Sequence, residues 1–207
     1  MKRIFDFILS ILIIIIFSPV IILLSILVRL KLGSPILFKQ ERPGLNGKPF
    51  LIYKFRTMTN KKDNNGSLLP EHLRLTGFGS FIRKFSLDEL PQLINVIKGE
   101  ISLVGPRPLR MDYLPLYTPL QARRHEVKPG ITGWAQIKGR NSISWEERFE
   151  LDVWYVDNKS FLLDLKILSM TLLKVIRPQG INHDGHVSMP DFTGTKMRSS
   201  YGEKESN

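Results

Sequence analysis

Apolar positions run almost unbroken over residues 7–28, interrupted only by Ser10, Ser18, Pro19 and Ser25. A helix of this length rises about 1.5 Å per residue and matches the roughly 30 Å hydrocarbon core of a bilayer. The run is too long for the apolar region of a signal peptide, and no A-x-A site follows it. Ser18 and Pro19 stand at its centre. Proline has no backbone N–H, so it leaves a carbonyl one turn back without a donor, which the Ser18 hydroxyl can supply in lipid. Lys2 and Arg3 precede the run, and Arg29, Lys31, Lys39, Arg42 and Lys48 follow it. Basic residues flank membrane segments on the cytoplasmic side. A straight span puts one basic flank outside. A helix broken at Ser18-Pro19 that turns back keeps both inside. In either case the globular part is expected to face the cytoplasm.

Beyond the anchor the periodicity shortens and mixes. Residues 36–41 and 50–55 read as strands, with Pro43-Gly44 and Asn46-Gly47 supplying the turn of a hairpin. Lys54 and Arg56 close the second strand. Residues 59–67 form a polar loop, and 71–84 are partly helical, carrying Arg74, Arg83 and Lys84. Ser86-Leu-Asp-Glu89 has the form of a capping box that opens a helix. Leu87, Leu90, Leu93, Ile94 and Ile97 mark one face of that helix, and Asp88, Gln92 and Asn95 another. Lys98-Gly99 signals its end, a short strand over 101–104 follows, and Gly105-Pro-Arg-Pro108 makes a stiff turn presenting Arg107.

The later chain repeats these devices. Residues 114–118 and 121–126 lead to a Gly-rich turn, Lys128 to Trp134, and then a short strand over 135–137. Gly139-Arg140-Asn141 presents another arginine on a turn. Ser144 and Glu147 form a second capping box, opening a helix to about residue 157 with Trp145, Phe149, Val153 and Val156 as its apolar stripe. Asp152 falls within that stripe. A buried acid needs a partner, either an arginine in a structural ion pair or a ligand. Residues 161–176 are helical and too short to span, so they pack in the core or lie at the interface. Trp134, Trp154 and Tyr155 suit either headgroup depth or the core. The tail after Arg177 is polar and reads as solvated, with His183 and His186 in it.

Net charge changes the picture of partners. The 207 residues carry +11, which favours phosphates, acidic headgroups or nucleic acid. With no cysteine, disulfides and thiolate metal sites are excluded. There is no P-loop, GxGxxG or HExxH. Asp88-Glu89 and Arg107 leave two readings. The acids merely cap a helix, or one carboxylate attacks a phosphorus while the other holds a divalent metal and the arginine grips phosphate oxygens.

The motifs together resemble one family. They are Lys2-Arg3-x-x-Asp6, Ser18-Pro19, Arg42-Pro-Gly44, Tyr53-Lys-Phe-Arg-Thr-Met58, Ser86-Leu-Asp-Glu-Leu-Pro-Gln92, Gly105-Pro-Arg-Pro108, Pro129-Gly-Ile-Thr-Gly-Trp-Ala-Gln136 and Gly139-Arg-Asn141. The chain is similar over nearly its whole length to the small monotopic phosphoglycosyl transferases of bacterial glycan assembly, most of all to those that begin protein N-glycosylation. The resemblance implies an α+β fold: a re-entrant membrane helix in residues 1–33, broken at Ser18-Pro19, and a mostly helical catalytic domain with a short hairpin in 34–207. It implies transfer of a sugar-1-phosphate from a UDP-sugar, such as UDP-N,N'-diacetylbacillosamine or a related N-acetylated sugar, to undecaprenyl phosphate, with UMP released. It implies Mg2+, with Asp88 as nucleophile and Glu89 as metal ligand. Lys54, Arg83, Arg107, Arg140 and Asp152 are the implied substrate-binding positions. The implied location is the bacterial inner membrane, with the catalytic domain cytoplasmic, membrane lipid as a partner, a homodimer possible and no nucleic acid bound. A metal-dependent UDP-sugar hydrolase and a non-enzymatic module binding acidic lipid are the alternatives from other classes.

Overall fold

The structure is a computed structural model and describes residues 1–139, 143–176 and 191–195. Helix α1 covers Lys2–Leu32. Strands β1 (Leu37–Pro43) and β2 (Pro49–Phe55) form the expected antiparallel hairpin, pairing Leu37 with Phe55 and Pro43 with Pro49. Short helices α2 (Glu71–Arg74) and α3 (Gly77–Lys84) lead to α4 (Gln92–Lys98) and β3 (Ser102–Val104). Then come α5 (Pro119–Ala122), β4 (Gly130–Thr132), α6 (Trp134–Lys138), α7 (Trp145–Asn158) and α8 (Phe161–Ile176). The fold is mixed helix and strand, as the sequence pattern implied.

The anchor differs from expectation in one respect. Helix α1 runs on through Pro19 without leaving helical conformation, so there is no interruption at Ser18-Pro19. The Ser18 hydroxyl donates to the Ile15 carbonyl at 2.8 Å. Ile15 lies four residues before Pro19, so this is the carbonyl that proline leaves without its helical donor. Both ends of α1 sit on the same globular body. At the start, Lys2 pairs with Asp164 at 2.5 Å, and the buried Asp6 accepts from Ser102 at 2.7 Å. Arg3 donates to the Val96 and Ile97 carbonyls, satisfying the last turn of α4. At the other end Leu24, Val28 and Leu32 pack with Phe55 and Ile82. Between these attachments Leu12, Ile15, Ile16, Phe17, Ile22 and Leu23 are exposed.

The main core joins Phe50 and Ile52 of the hairpin to Leu93 and Val96 of α4, Ile101, Leu103 and Val104 around β3, and Ile167 of α8. Leu93 and Val96 are the buried apolar members of α4, while Ile94 is 40% exposed. The inward face is therefore rotated from the stripe read in the sequence. Asn95, fully buried, accepts from the Tyr53 N–H and donates to the Leu51 carbonyl, tying α4 to β2.

Strand β4 replaces the strand expected over 135–137, which is helical as part of α6. It pairs in parallel with β3, Ser102 beside Gly130 and Val104 beside Thr132. Glycine decides the location, because a Cβ on Gly130 would come within 2.1 Å of the Gly105 nitrogen. Only backbone fits between these strands, so the pairing falls in the Gly-rich segment that reads as a turn by composition. Ser144 caps α7 as expected, accepting from the Glu147 N–H at 3.1 Å. On α8 Ile167 is buried, whereas Leu162, Leu165, Leu172 and Leu173 are exposed along a face suited to an interface. Tyr155 is a core residue, donating to Asp164 at 2.7 Å, while Trp154 stacks on Trp134 and is 41% exposed.

Two further expectations are corrected. Ser86 does not cap a helix: its backbone is left-handed, φ 55°, its hydroxyl makes no cap bond, and α4 begins only at Gln92. Residues 191–195 are not solvated tail but dock on the domain, with Phe192 only 4% exposed. His183 and His186 lie outside the described residues.

Candidate active site

Asp88 and Glu89 lie in a single 3-10 turn, Leu87–Glu89, between α3 and α4. Three elements converge on them. The end of β2 brings Lys54, α3 brings Arg83, and the turn after β3 brings Arg107. Helix α3 can come this close because Gly79 has no side chain, since a Cβ there would stand 1.9 Å from the Thr57 carbonyl oxygen. The Arg83 Nε then donates to the Thr57 hydroxyl at 2.9 Å.

The two carboxylates have opposite surroundings. Glu89 is held by two cations. Lys54 Nζ lies 2.6 Å from its Oε1, Arg107 Nη2 2.5 Å from the same oxygen, and Arg107 Nη1 3.4 Å from Oε2. Burial opposes its ionisation, but Arg107 and Lys54 outweigh burial and hold the carboxyl well below the usual range. Asp88 is 7% exposed, and among the described residues its carboxylate accepts no hydrogen bond; its nearest cation is Lys54, 4.0 Å away. Burial, and then the adjacent Glu89 charge, push its pKa up to about 6 against the pull of Lys54, Arg83 and Arg107. No helix start keeps Asp88 acidic, because α4 begins only at Gln92. The carboxylate is still mostly ionised at neutral pH, and no hydrogen bond from the described residues blunts it.

Arg107 is anchored from behind. Its carbonyl accepts from Arg124 Nη2 at 2.7 Å. Arg124 in turn forms a two-nitrogen pair with Asp152 at 2.7 and 3.1 Å, in which both side chains are almost wholly buried. Asp152 therefore reaches the site through Arg124 and Arg107 rather than by facing it. This is the ion-pair alternative that a buried acid on an apolar stripe leaves open. Arg140 lies outside the described residues.

Sequence pattern alone did not single out Arg124 or Arg148, and it named Arg42 only as a basic flank and a motif residue, not as part of the site. Burial lowers the pKa of Arg42, and the charges of Arg107 and Arg110 lower it further. Burial likewise pushes Arg148 down to about 10, against the pull of Asp152, and Arg107 and Arg124 push it the same way. The charge of Arg107 acts on both Arg42 and Arg148, so these cations gather near its turn, where they attract anionic oxygens. The available signal was Asp152 itself, whose need for a partner points at arginine. Spacing does not choose among distant arginines.

The sequence profile of bacterial sugar transferases matches residues 1–178. The uncharacterised sugar transferase EpsL of Bacillus subtilis (strain 168) is 63% identical over 195 residues, covering 94% of this chain and 96% of that protein. The UDP-glucose:undecaprenyl-phosphate glucose-1-phosphate transferase of Escherichia coli (strain K12) is 40% identical over 186 residues, 84% of this chain and 40% of that protein. The undecaprenyl-phosphate galactose phosphotransferase of Salmonella typhimurium is 40% identical over 200 residues, 87% of this chain and 41% of that protein. The chain thus spans about two fifths of the length of these last two relatives. With the profile covering α1, the acidic turn and the Arg107 turn alike, the chain belongs to the bacterial sugar transferase family.

Proposed function

We propose that this protein moves a sugar-1-phosphate from a UDP-hexose to undecaprenyl phosphate at the cytoplasmic face of a bacterial inner membrane. The observation that carries this reading is the Asp88 carboxylate, buried and, among the described residues, accepting no hydrogen bond at the rim of a cationic cluster. Asp88 attacks the β-phosphorus of the donor. The bond from that phosphorus to the oxygen bridging to UMP breaks, and UMP leaves with the electron pair. An oxygen of undecaprenyl phosphate then attacks the same phosphorus and releases the Asp88 carboxylate. Splitting the transfer lets a water-soluble donor and a lipid acceptor use one site in turn. Lys54, Arg83 and Arg107 offset the phosphate charge.

The residues fit a magnesium ion. Among the described residues Glu89 Oε2 has only a 3.4 Å contact, from Arg107, so it retains capacity for a hard cation. Among the described residues no group of three acidic or histidine ligands occurs, so Glu89 would hold the ion together with donor phosphate and water. Bound there, the ion would neutralise charge developing on the diphosphate.

The attachment of both ends of α1 to one body supports a monotopic anchor whose two basic ends share the cytoplasmic side. The exposed apolar middle of the helix is then the part that meets the bilayer.

The test is UMP release by the full chain in a membrane mimic, with undecaprenyl phosphate present or absent. The donors are UDP-glucose, UDP-galactose, UDP-N-acetylglucosamine and UDP-N,N'-diacetylbacillosamine. One donor should release UMP in step with lipid product, and EDTA should stop both until magnesium is restored. Turnover to free sugar phosphate without lipid would make the protein a hydrolase and overturn the reading.

A further inference from the structure

Residues 191–195 return to the domain and lie in a receptor built for them. Phe192 packs edge-on to Phe149 at 5.0 Å and stacks on Tyr117 at 5.9 Å. Its N–H donates to the Tyr113 hydroxyl at 3.1 Å, and that hydroxyl donates to Asp191 at 3.1 Å. Arg110 Nη1 bridges both Asp191 oxygens at 3.1 Å. Gln121 donates to the Thr195 hydroxyl at 2.7 Å. Between them Gly194 adopts φ 97°, a conformation side chains rarely take, which turns the strap onto the surface.

The rings that hold Phe192 also hold Arg124. Its guanidinium lies 5.7 Å from the Tyr117 ring centre and 5.6 Å from that of Phe149, and its Nη1 donates to the Tyr117 hydroxyl at 3.2 Å. The same guanidinium donates to the Arg107 carbonyl. We propose that Phe192 is a positioning residue for Arg107: the 191–195 strap wedges Tyr117 and Phe149 against Arg124, and Arg124 fixes the Arg107 turn beside Glu89. This rests on the transfer reading, in which Arg107 grips donor phosphate. Removing the ring would leave a void beside both aromatic residues, and a large-to-small core change disturbs neighbours that cannot fully collapse.

The test uses full-length Phe192→Ala and Phe192→Leu. One readout needs no turnover: hydrogen exchange of the Arg124 Nε–H, assigned by its loss in Arg124→Lys, from arginine-labelled protein in micelles. The other is kcat/KM for the donor, measured well below each variant's melting temperature. Phe192→Ala should exchange at least tenfold faster and lose about tenfold in kcat/KM, mainly through KM, and Phe192→Leu should recover most of both. A strap that only adds stability would lower the melting temperature and leave exchange and kcat/KM unchanged, which overturns the proposal. Should the wild type transfer nothing, the transfer reading fails separately, and exchange alone decides the strap: unchanged exchange overturns it.

Discussion

Replacing Asp88 with Asn should abolish transfer and at the same time make the protein more stable at neutral pH. Loss of turnover follows from the proposed mechanism, in which Asp88 is the nucleophile. The gain in stability follows from the raised pKa. The carboxyl ionises near 6 in the fold and near its ordinary 3.8 when unfolded. Between those values the folded protein keeps a proton that the unfolded chain has lost. Stability therefore falls as pH rises from about 4 to about 6, and the full penalty, about 3 kcal/mol, is present at pH 7. Asparagine carries no charge and escapes it, so the melting temperature should rise by about 5 °C or more at pH 7. The two proteins should converge near pH 4. Thermal melts across pH 4–8 give the answer, and a variant no more stable than wild type at pH 7 would mean that Asp88 is not buried under strain.

Glu89→Gln should cost about 10²- to 10³-fold in transfer, the scale seen when one preorganised charge is removed from an active site. Its effect on pH dependence is more diagnostic. The Glu89 charge is one cause of the raised Asp88 pKa, and Glu89 also occupies Lys54 and Arg107. Without it the repulsion ends and both cations turn to Asp88, which lowers that pKa from either direction. The acid limb of kcat/KM, near pH 6 in the wild type, should move to lower pH in the residual activity. A limb that stays near 6 would show that Asp88 is not the group titrating there.

Local chemistry was legible in the sequence wherever it acts alone. Gly99 ends α4 with φ 84°, and Ser144 caps α7, because these roles depend on a few neighbouring atoms. The hairpin followed from two strand-like runs and the turn residues between them. The capping box at Ser86 failed because a stronger, non-local demand wins: Glu89 is drawn to Lys54 and Arg107, 35 and 18 residues away in the chain. The strand at Gly130 was hidden because its cause is the close approach of another glycine, Gly105, which composition reads as a turn. For Asp152 the need for a partner was visible but not the choice of Arg124, 28 residues distant. The docking of Phe192 was hidden in the same way, since its receptor is assembled from Tyr113, Tyr117, Trp145 and Phe149 only in the fold. Asp88 and Glu89 were found as a pair because they are adjacent. That one is held by two cations while the other accepts no hydrogen bond among the described residues is a property of the assembled site.

The central claim is that Asp88 becomes covalently attached to the sugar-phosphate. Wild-type protein incubated with magnesium and a donor labelled in the sugar, without lipid, then quenched so as to preserve acyl phosphates, tests it directly. A covalent intermediate puts label on the peptide containing Asp88, absent in Asp88→Asn and discharged into lipid product when undecaprenyl phosphate is added. Normal lipid product with no label on the protein at any time would contradict it and leave direct attack by the lipid phosphate as the mechanism.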